Sequence, residues 1–227
     1  MKGFFVTGIG TDIGKTVASA VLVEALKGDY WKPVQSGNQD FTDADFVREF
    51  TIHHQTIHPE EYLFKAPVSP HLAAELECKY IDIQNFMIPK SNNYLIVEGA
   101  GGVMAPLNNK YLIKDLIIKF QLPVILISMN YLGSINHTIL TNNALNESGI
   151  KTAGIIFNGT ANPDNERFIL NYTGLKLIGN IPKADIMSKG FIVQQAKAIR
   201  GKLMETIASY PDHSDNDNQL QVDYESF

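Results

Sequence analysis

A three-layer α/β fold, with a mostly parallel central sheet flanked by helices, is predicted for this 227-residue chain by two features of its sequence. Short apolar runs alternate with segments whose apolar residues recur at helical spacing, the order expected of strand–helix–strand units. Two of the runs, at 123–128 and 152–157, are apolar at successive positions, as in strands covered by helices on both faces.

Taken in order, Gly3 to Thr7 reads as the first strand. Ala18, Val21, Leu22, Ala25 and Leu26 then fall at i, i+3, i+4, i+7 and i+8, the apolar stripe of an amphipathic helix. Trp31 to Val34 reads as a short extended piece, because Pro33 biases Lys32 toward β geometry. Tyr94 to Val97 is a further strand, ending at Glu98 and a glycine cluster. Pro123 to Ser128 and Thr152 to Phe157 follow, then Leu175 to Ile181 as a last strand and Gln194 to Ser209 as a C-terminal helix. There is no internal repeat and no linker rich in Pro, Gly or Ser. Residues 1–210 therefore read as one domain, and 211–227, rich in Asp, Asn, Gln and Ser, as a mobile polar tail.

Composition removes several function classes. The net charge is −5 and no Lys/Arg run occurs, which disfavours a nucleic-acid partner. No apolar stretch reaches membrane length, and Phe4-Phe5-Val6 is too short for a signal-peptide core. Cys78 is the only cysteine, so an intramolecular disulfide is impossible and a reducing, cytoplasmic location is expected. His53, His54 and His58 occupy a polar stretch with no Glu or Cys at ligand spacing and are not read as a metal site. His71 and His137 are expected to be hydrogen-bonded structural residues.

Chemistry concentrates in three clusters. Gly8-Ile9-Gly10-Thr11-Asp12-Ile13-Gly14-Lys15-Thr16 joins the first strand to the first helix. Its glycines let backbone N–H groups converge on one point, and the helix N-terminus adds its positive end. Lys15 brings a mobile cation for the β- and γ-phosphates, and the Thr16 hydroxyl a ligand for Mg²⁺. This is a P-loop, which makes the fold a P-loop NTPase fold and residues Asp12, Ile13, Gly14, Lys15, Thr16 and Val17 the candidate nucleotide contacts. It misses the strict pattern by one residue, since Ile9 stands where the first glycine belongs. The second cluster is Lys32-Pro33-Val34-Gln35-Ser36-Gly37. If its strand runs parallel to the first, Lys32 reaches the same sheet edge as the P-loop. The third is Glu98-Gly99-Ala100-Gly101-Gly102, an acid at a strand end suited to Mg²⁺, followed by glycines that admit a nucleotide closely.

These clusters, with Thr42-Asp43-Ala44, APVSPH at 66–71 and LGSINH at 132–137, resemble dethiobiotin synthetase in content and order, from Phe4 to about Pro182. The resemblance implies a homodimeric, ATP- and Mg²⁺-dependent ligase that closes a ureido ring on 7,8-diaminononanoate with CO₂. It implies Lys15 and Lys32 as the catalytic cations and contacts from Thr11 and Ser36 to carbamate or substrate. It further implies Thr16, Asp43 and Glu98 as Mg²⁺ ligands, and Asn158 with Pro182 at the adenine. Gly133, Ser134 and Asn136 would receive the carboxylate of a substrate bound by the neighbouring subunit, at a helix start that Ser134 is expected to cap.

Two points stay open in the sequence. Asp43 is preferred over Asp45 because Thr-Asp-Ala resembles the family's Ser-Asp-Ala, while the alternative has both acids merely beginning a helix. Asn158 is followed by Gly159 where the family commonly has an acid, and Pro182 by Lys183 where an aromatic can occur. Base selectivity looser than ATP alone is therefore expected. Partition and septum-site ATPases share the loop region but carry an early lysine where this chain has Ile9 and Gly10.

Overall fold

The computed structural model describes residues 2–209; the polar tail expected from residue 211 lies outside them. The elements in chain order are β1 (Gly3–Gly8), α1 (Lys15–Leu26), β2 (Asp29–Trp31), β3 (Val34–Ser36), α2 (Asp43–Phe50), β4 (Ile57–His58), β5 (Tyr62–Phe64) and α3 (Pro70–Leu76). They continue with β6 (Leu95–Gly102), α4 (Ile113–Phe120), β7 (Val124–Met129), α5 (Ser134–Glu147), β8 (Thr152–Asn158), α6 (Pro163–Thr173), β9 (Leu177–Ile181) and α7 (Lys189–Ala208).

Seven strands form the central sheet in the order β4-β2-β6-β1-β7-β8-β9, and every pair is parallel. Alternate residues of β1 separate the two faces. Phe4 and Val6 join a core built with α1, α2 and α7, while Phe5 joins a second core with Trp31, Val97 and α4. Three layers result, as expected. The chain leaves β1 for β2, returns to β6, then crosses β1 to β7. That reversal places the crevice of a doubly wound sheet at the C-terminal ends of β1, β6 and β7.

Four sequence expectations are corrected. The first helix is not amphipathic: Ala18 to Val23 and Ala25 are all buried, because α7 and α2 flank it and the sheet lies beneath. Trp31–Val34 is not one extended piece. β2 ends at Trp31, and Pro33, which has no N–H for a ladder, turns the chain out of the central sheet. Its carbonyl instead accepts from the amides of Glu61 and Tyr62, and β3 pairs with β5 in a separate two-stranded sheet. The last strand starts at Leu177, and the C-terminal helix starts earlier than Gln194, at Lys189, where the Ser188 hydroxyl accepts from the Phe191 amide. None of the helices described is long and apolar enough to cross a membrane.

β2 is held in register by Asp29, which is 3% exposed. Its carboxylate accepts from the Thr56 amide at 2.8 Å, Ser91 Oγ at 2.6 Å and Asn93 Nδ2 at 3.3 Å. Burial pushes this carboxyl up, but the hydrogen bonds outweigh it and hold it below the ordinary carboxylate value. Such a group stabilises the fold above its unfolded pKa and loses that contribution as pH falls through the folded one. Asp29→Ala should therefore cost about 2 kcal/mol at neutral pH, lowering Tm by about 6 °C in a chain of this size. The gap to wild type should narrow below about pH 4, which thermal melts across that range would measure.

Candidate functional site

At the C-terminal edge of the sheet the three clusters come together. The loop after β1 closes on α1 through Gly14, the helix cap, at φ +84°. A side chain there would be strained, and its Cβ would lie 2.0 Å from Asn158 Nδ2. Asn158, at the end of β8, donates through that nitrogen to the Ile13 carbonyl at 3.0 Å. The Ile13 side chain is buried in the core. The loop is thus pinned from below by Ile13 and from the side by Asn158.

A cleft of about 750 Å³ opens above it. From the loop and helix start it is lined by Thr11, Asp12, Gly14, Lys15, Thr16 and Val17. Lys32, Ser36 and Asp43 line the opposite wall, and Glu98, Ala100 and Gly101 the floor. Most of the residues singled out in the sequence therefore meet in one space. Gly99 does not line it; it makes room for the Phe5 ring, which a Cβ would meet at 2.8 Å.

Glu98 is the centre of the arrangement and is fully buried. Its Oε1 accepts from Thr16 Oγ1 at 3.0 Å and from Lys32 Nζ at 3.2 Å. Its Oε2 accepts from the Tyr30 hydroxyl at 2.9 Å. Lys32 Nζ also donates to Asp43 Oδ2. Burial alone would push the Lys32 ammonium down, but the Glu98 and Asp43 carboxylates outweigh it and hold it above the usual lysine value. Lys32 is a permanent cation.

Lys15, 7% exposed, donates to the Gly10 carbonyl at 2.8 Å. Burial dominates its ionisation and brings its pKa down to about 8, with Glu98 opposing and Lys32 reinforcing the shift. Tyr30 is pushed well above the ordinary phenol value, first by burial and then by the Glu98 carboxylate, so it remains a donor.

The two acids of α2 separate cleanly. Asp45 forms a capping box with Thr42: its carboxylate accepts from the Thr42 amide, and its own amide donates to Thr42 Oγ1. Asp45 also pairs with Arg48. Asp43 instead faces Lys32 and the cleft. Both acids do begin a helix, but only one is occupied in capping it.

Gly133, Ser134 and Asn136 lie at the start of α5, beyond β7, and do not line the cleft. Ser134 is not the cap. Gly133 is, at φ +100°, a conformation that strains serine, and Ser134 is the first helical residue with its hydroxyl buried. No side chain caps this helix. His137 Nδ1 is 2.7 Å from the Tyr131 hydroxyl, as a structural role requires. His71 Nδ1, by contrast, is buried without a partner among the described residues. His53 Nδ1 sits 3.1 Å from Glu24, which is distant in sequence and close in space.

Sequence reasoning assigns no role to three contributors. Tyr30 reads as an ordinary core aromatic beside Trp31. Gln35 lines the cleft, donates to the Gly37 carbonyl at 3.1 Å and leaves a buried Oε1 with no partner among the described residues. Pro67 to Pro70 form part of the wall; the segment 66–71 carries part of the family resemblance, but nothing in Pro67 to Pro70 signals a task.

Comparison with known proteins bears on the same residues. A family model described as an AAA domain matches residues 2–189. Among solved structures, the cell-division ATPase MinD of Pyrococcus furiosus superposes with a TM-score of 0.53, covering 93% of this chain and 100% of that one at 13% identity. At that identity the likeness is one of fold. Sequence relatives are far nearer. The chain is 46% identical over 199 residues to an ATP-dependent dethiobiotin synthetase of Cytophaga hutchinsonii, covering 86% of this chain and 96% of the relative. It is 42% identical to one from Christiangramia forsetii, covering 90% and 99%. With two lysines and a buried acid around one cleft, and relatives that match along nearly their whole length, the chain belongs to the ATP-dependent dethiobiotin synthetase family.

Proposed function

We propose that the protein closes the ureido ring of dethiobiotin on 7,8-diaminononanoate, using CO₂ and ATP in the cytoplasm. The observation that carries this reading is the convergence of Lys15 and Lys32, from two different strand ends, on one cleft floored by Glu98. An amine of the substrate adds to CO₂ and loses a proton, giving a carbamate. A carbamate oxygen attacks the γ-phosphorus, and the bond to the β–γ bridging oxygen breaks to release ADP. The second amine attacks the carbonyl carbon of the mixed anhydride, expelling phosphate and losing a proton as the ring closes. Negative charge gathers on carbamate and phosphoryl oxygens throughout, so pre-placed cations supply the main stabilisation.

Lys32 suits that task, because Glu98 and Asp43 keep it charged and fixed. Lys15 suits the β- and γ-phosphates, whose charge would reverse the effect of its burial. Thr11 and Ser36 line the cleft, and the Ser36 hydroxyl is buried with no partner among the described residues, which supports their contact with carbamate or substrate.

Thr16, Glu98 and Asp43 offer a hydroxyl and two carboxylates at the cleft, an all-oxygen set that fits Mg²⁺. When bound there, the ion would neutralise phosphate charge and polarise the γ-phosphoryl group. The uncapped start of α5 leaves the N–H groups of its first turn free of side-chain caps. That supports the reading in which Gly133, Ser134 and Asn136 take the carboxylate of a substrate held by a second copy in a homodimer.

Incubating the protein with MgATP, bicarbonate and 7,8-diaminononanoate should yield dethiobiotin and ADP, read by mass spectrometry; a folded, nucleotide-binding protein that makes none defeats the proposal. Lys15→Gln should abolish turnover. Lys32→Gln should lose rate far more than ATP affinity, and a wild-type rate would remove its assigned role.

Asp43 and Asp45 should part in opposite directions. Asp43→Asn should raise the Mg²⁺ half-saturation about tenfold, whereas Asp45→Ala should lower stability by about 1 kcal/mol through loss of the cap while leaving Mg²⁺ dependence unchanged. Titrations of turnover against Mg²⁺ and thermal melts distinguish them.

Gly159 and Lys183 replace groups that would read a base, and the amide of Gly159 is occupied by the Ile181 carbonyl at 2.8 Å. Comparable turnover with ATP, CTP and GTP is expected; a strong preference for ATP would refute the loose base site.

A further inference from the structure

Tyr30 donates a hydrogen bond to a site it cannot enter. It is fully buried, pairs with Ile96 across β2 and β6, and does not line the cleft. Glu98 lies two residues beyond Ile96 and so on the same face of β6, which brings its carboxylate over the phenol. The 2.9 Å bond goes to Oε2, the oxygen that neither Thr16 nor Lys32 uses.

We propose that Tyr30 is a positioning residue for Glu98, fixing Oε2 behind the site so that Oε1 alone is presented to the cleft. The inference rests on Glu98 serving Mg²⁺. A carboxylate has two equivalent oxygens and turns about its last carbon–carbon bond. Thr16 and Lys32 both hold Oε1, and among the described residues it is the Tyr30 hydroxyl that holds Oε2. Without it, Oε2 is left buried and unpaired, and the carboxylate relieves this by turning both oxygens toward the Lys32 ammonium. The oxygen offered to a metal is then bound more firmly by the lysine, and the metal is held less well. An ordinary core tyrosine would instead matter through its ring, which phenylalanine supplies.

Tyr30→Phe separates the two roles. Mn²⁺ binding to the ADP complex, followed by electron paramagnetic resonance, should weaken about tenfold. The Mg²⁺ half-saturation of turnover should rise in parallel, with the KM for 7,8-diaminononanoate little changed. Tyr30→para-aminophenylalanine, which restores a donor, should recover the metal affinity. Unchanged Mn²⁺ affinity in Tyr30→Phe, or a loss that the donor-bearing variant does not recover, overturns the proposal. Mn²⁺ binding requires no turnover, so this result stands or falls separately from the ring-closure assay.

Discussion

The Glu98–Lys32 ion pair is the constraint around which the site is organised. A fully buried carboxylate is costly unless every lone pair it presents is met, and the cost of breaking such a pair by removing one partner is about 3–5 kcal/mol. Here the carboxylate is met by a lysine from beyond β2, a threonine from α1 and a tyrosine from within β2. Satisfying it therefore draws α1 and the end of β2 to β6, 66 to 82 residues away in the chain. The same bonds that make the buried charge tolerable fix the Lys32 ammonium beside the cleft.

The sheet supplies the frame for that pair. All seven strands are parallel, so their C-terminal ends open on one edge, and the reversal of strand order about β1 leaves a crevice there. Lys32 reaches the crevice because β2 stops at Trp31 and Pro33 turns the chain away. The departure from regular structure at Lys32-Pro33 is thus what exposes the lysine head to the cleft while its neighbours remain in the core.

The division of labour between Asp43 and Asp45 shows where local and long-range effects meet. Either acid is favourable in the first turn of a helix. Asp45 is three residues past Thr42 and is taken up by the capping box, while burial of Ala44 and Val47 in the core sets the rotation of α2. That rotation turns Asp43 toward Lys32. The local motif occupies Asp45, and the packing of the helix leaves Asp43 for the site.

The sequence by itself determined the alternation of strands and helices, the P-loop with its lysine and threonine, and the family, because these depend on residues adjacent in the chain or on motif order. Glycine, lysine and threonine at consecutive positions carry their meaning wherever the rest of the chain goes. The tertiary structure alone decided that Tyr30 supports Glu98, that Gly133 rather than Ser134 caps α5, that α1 is buried on nearly every side, and that Gly99 serves packing. Thr16, Tyr30 and Lys32 lie 82, 68 and 66 residues from Glu98, and no periodicity records a contact across such distances. Helical spacing likewise reports which residues share a face, but not how many neighbours the other faces will meet. Those questions are settled only when the sheet closes and the strand ends converge.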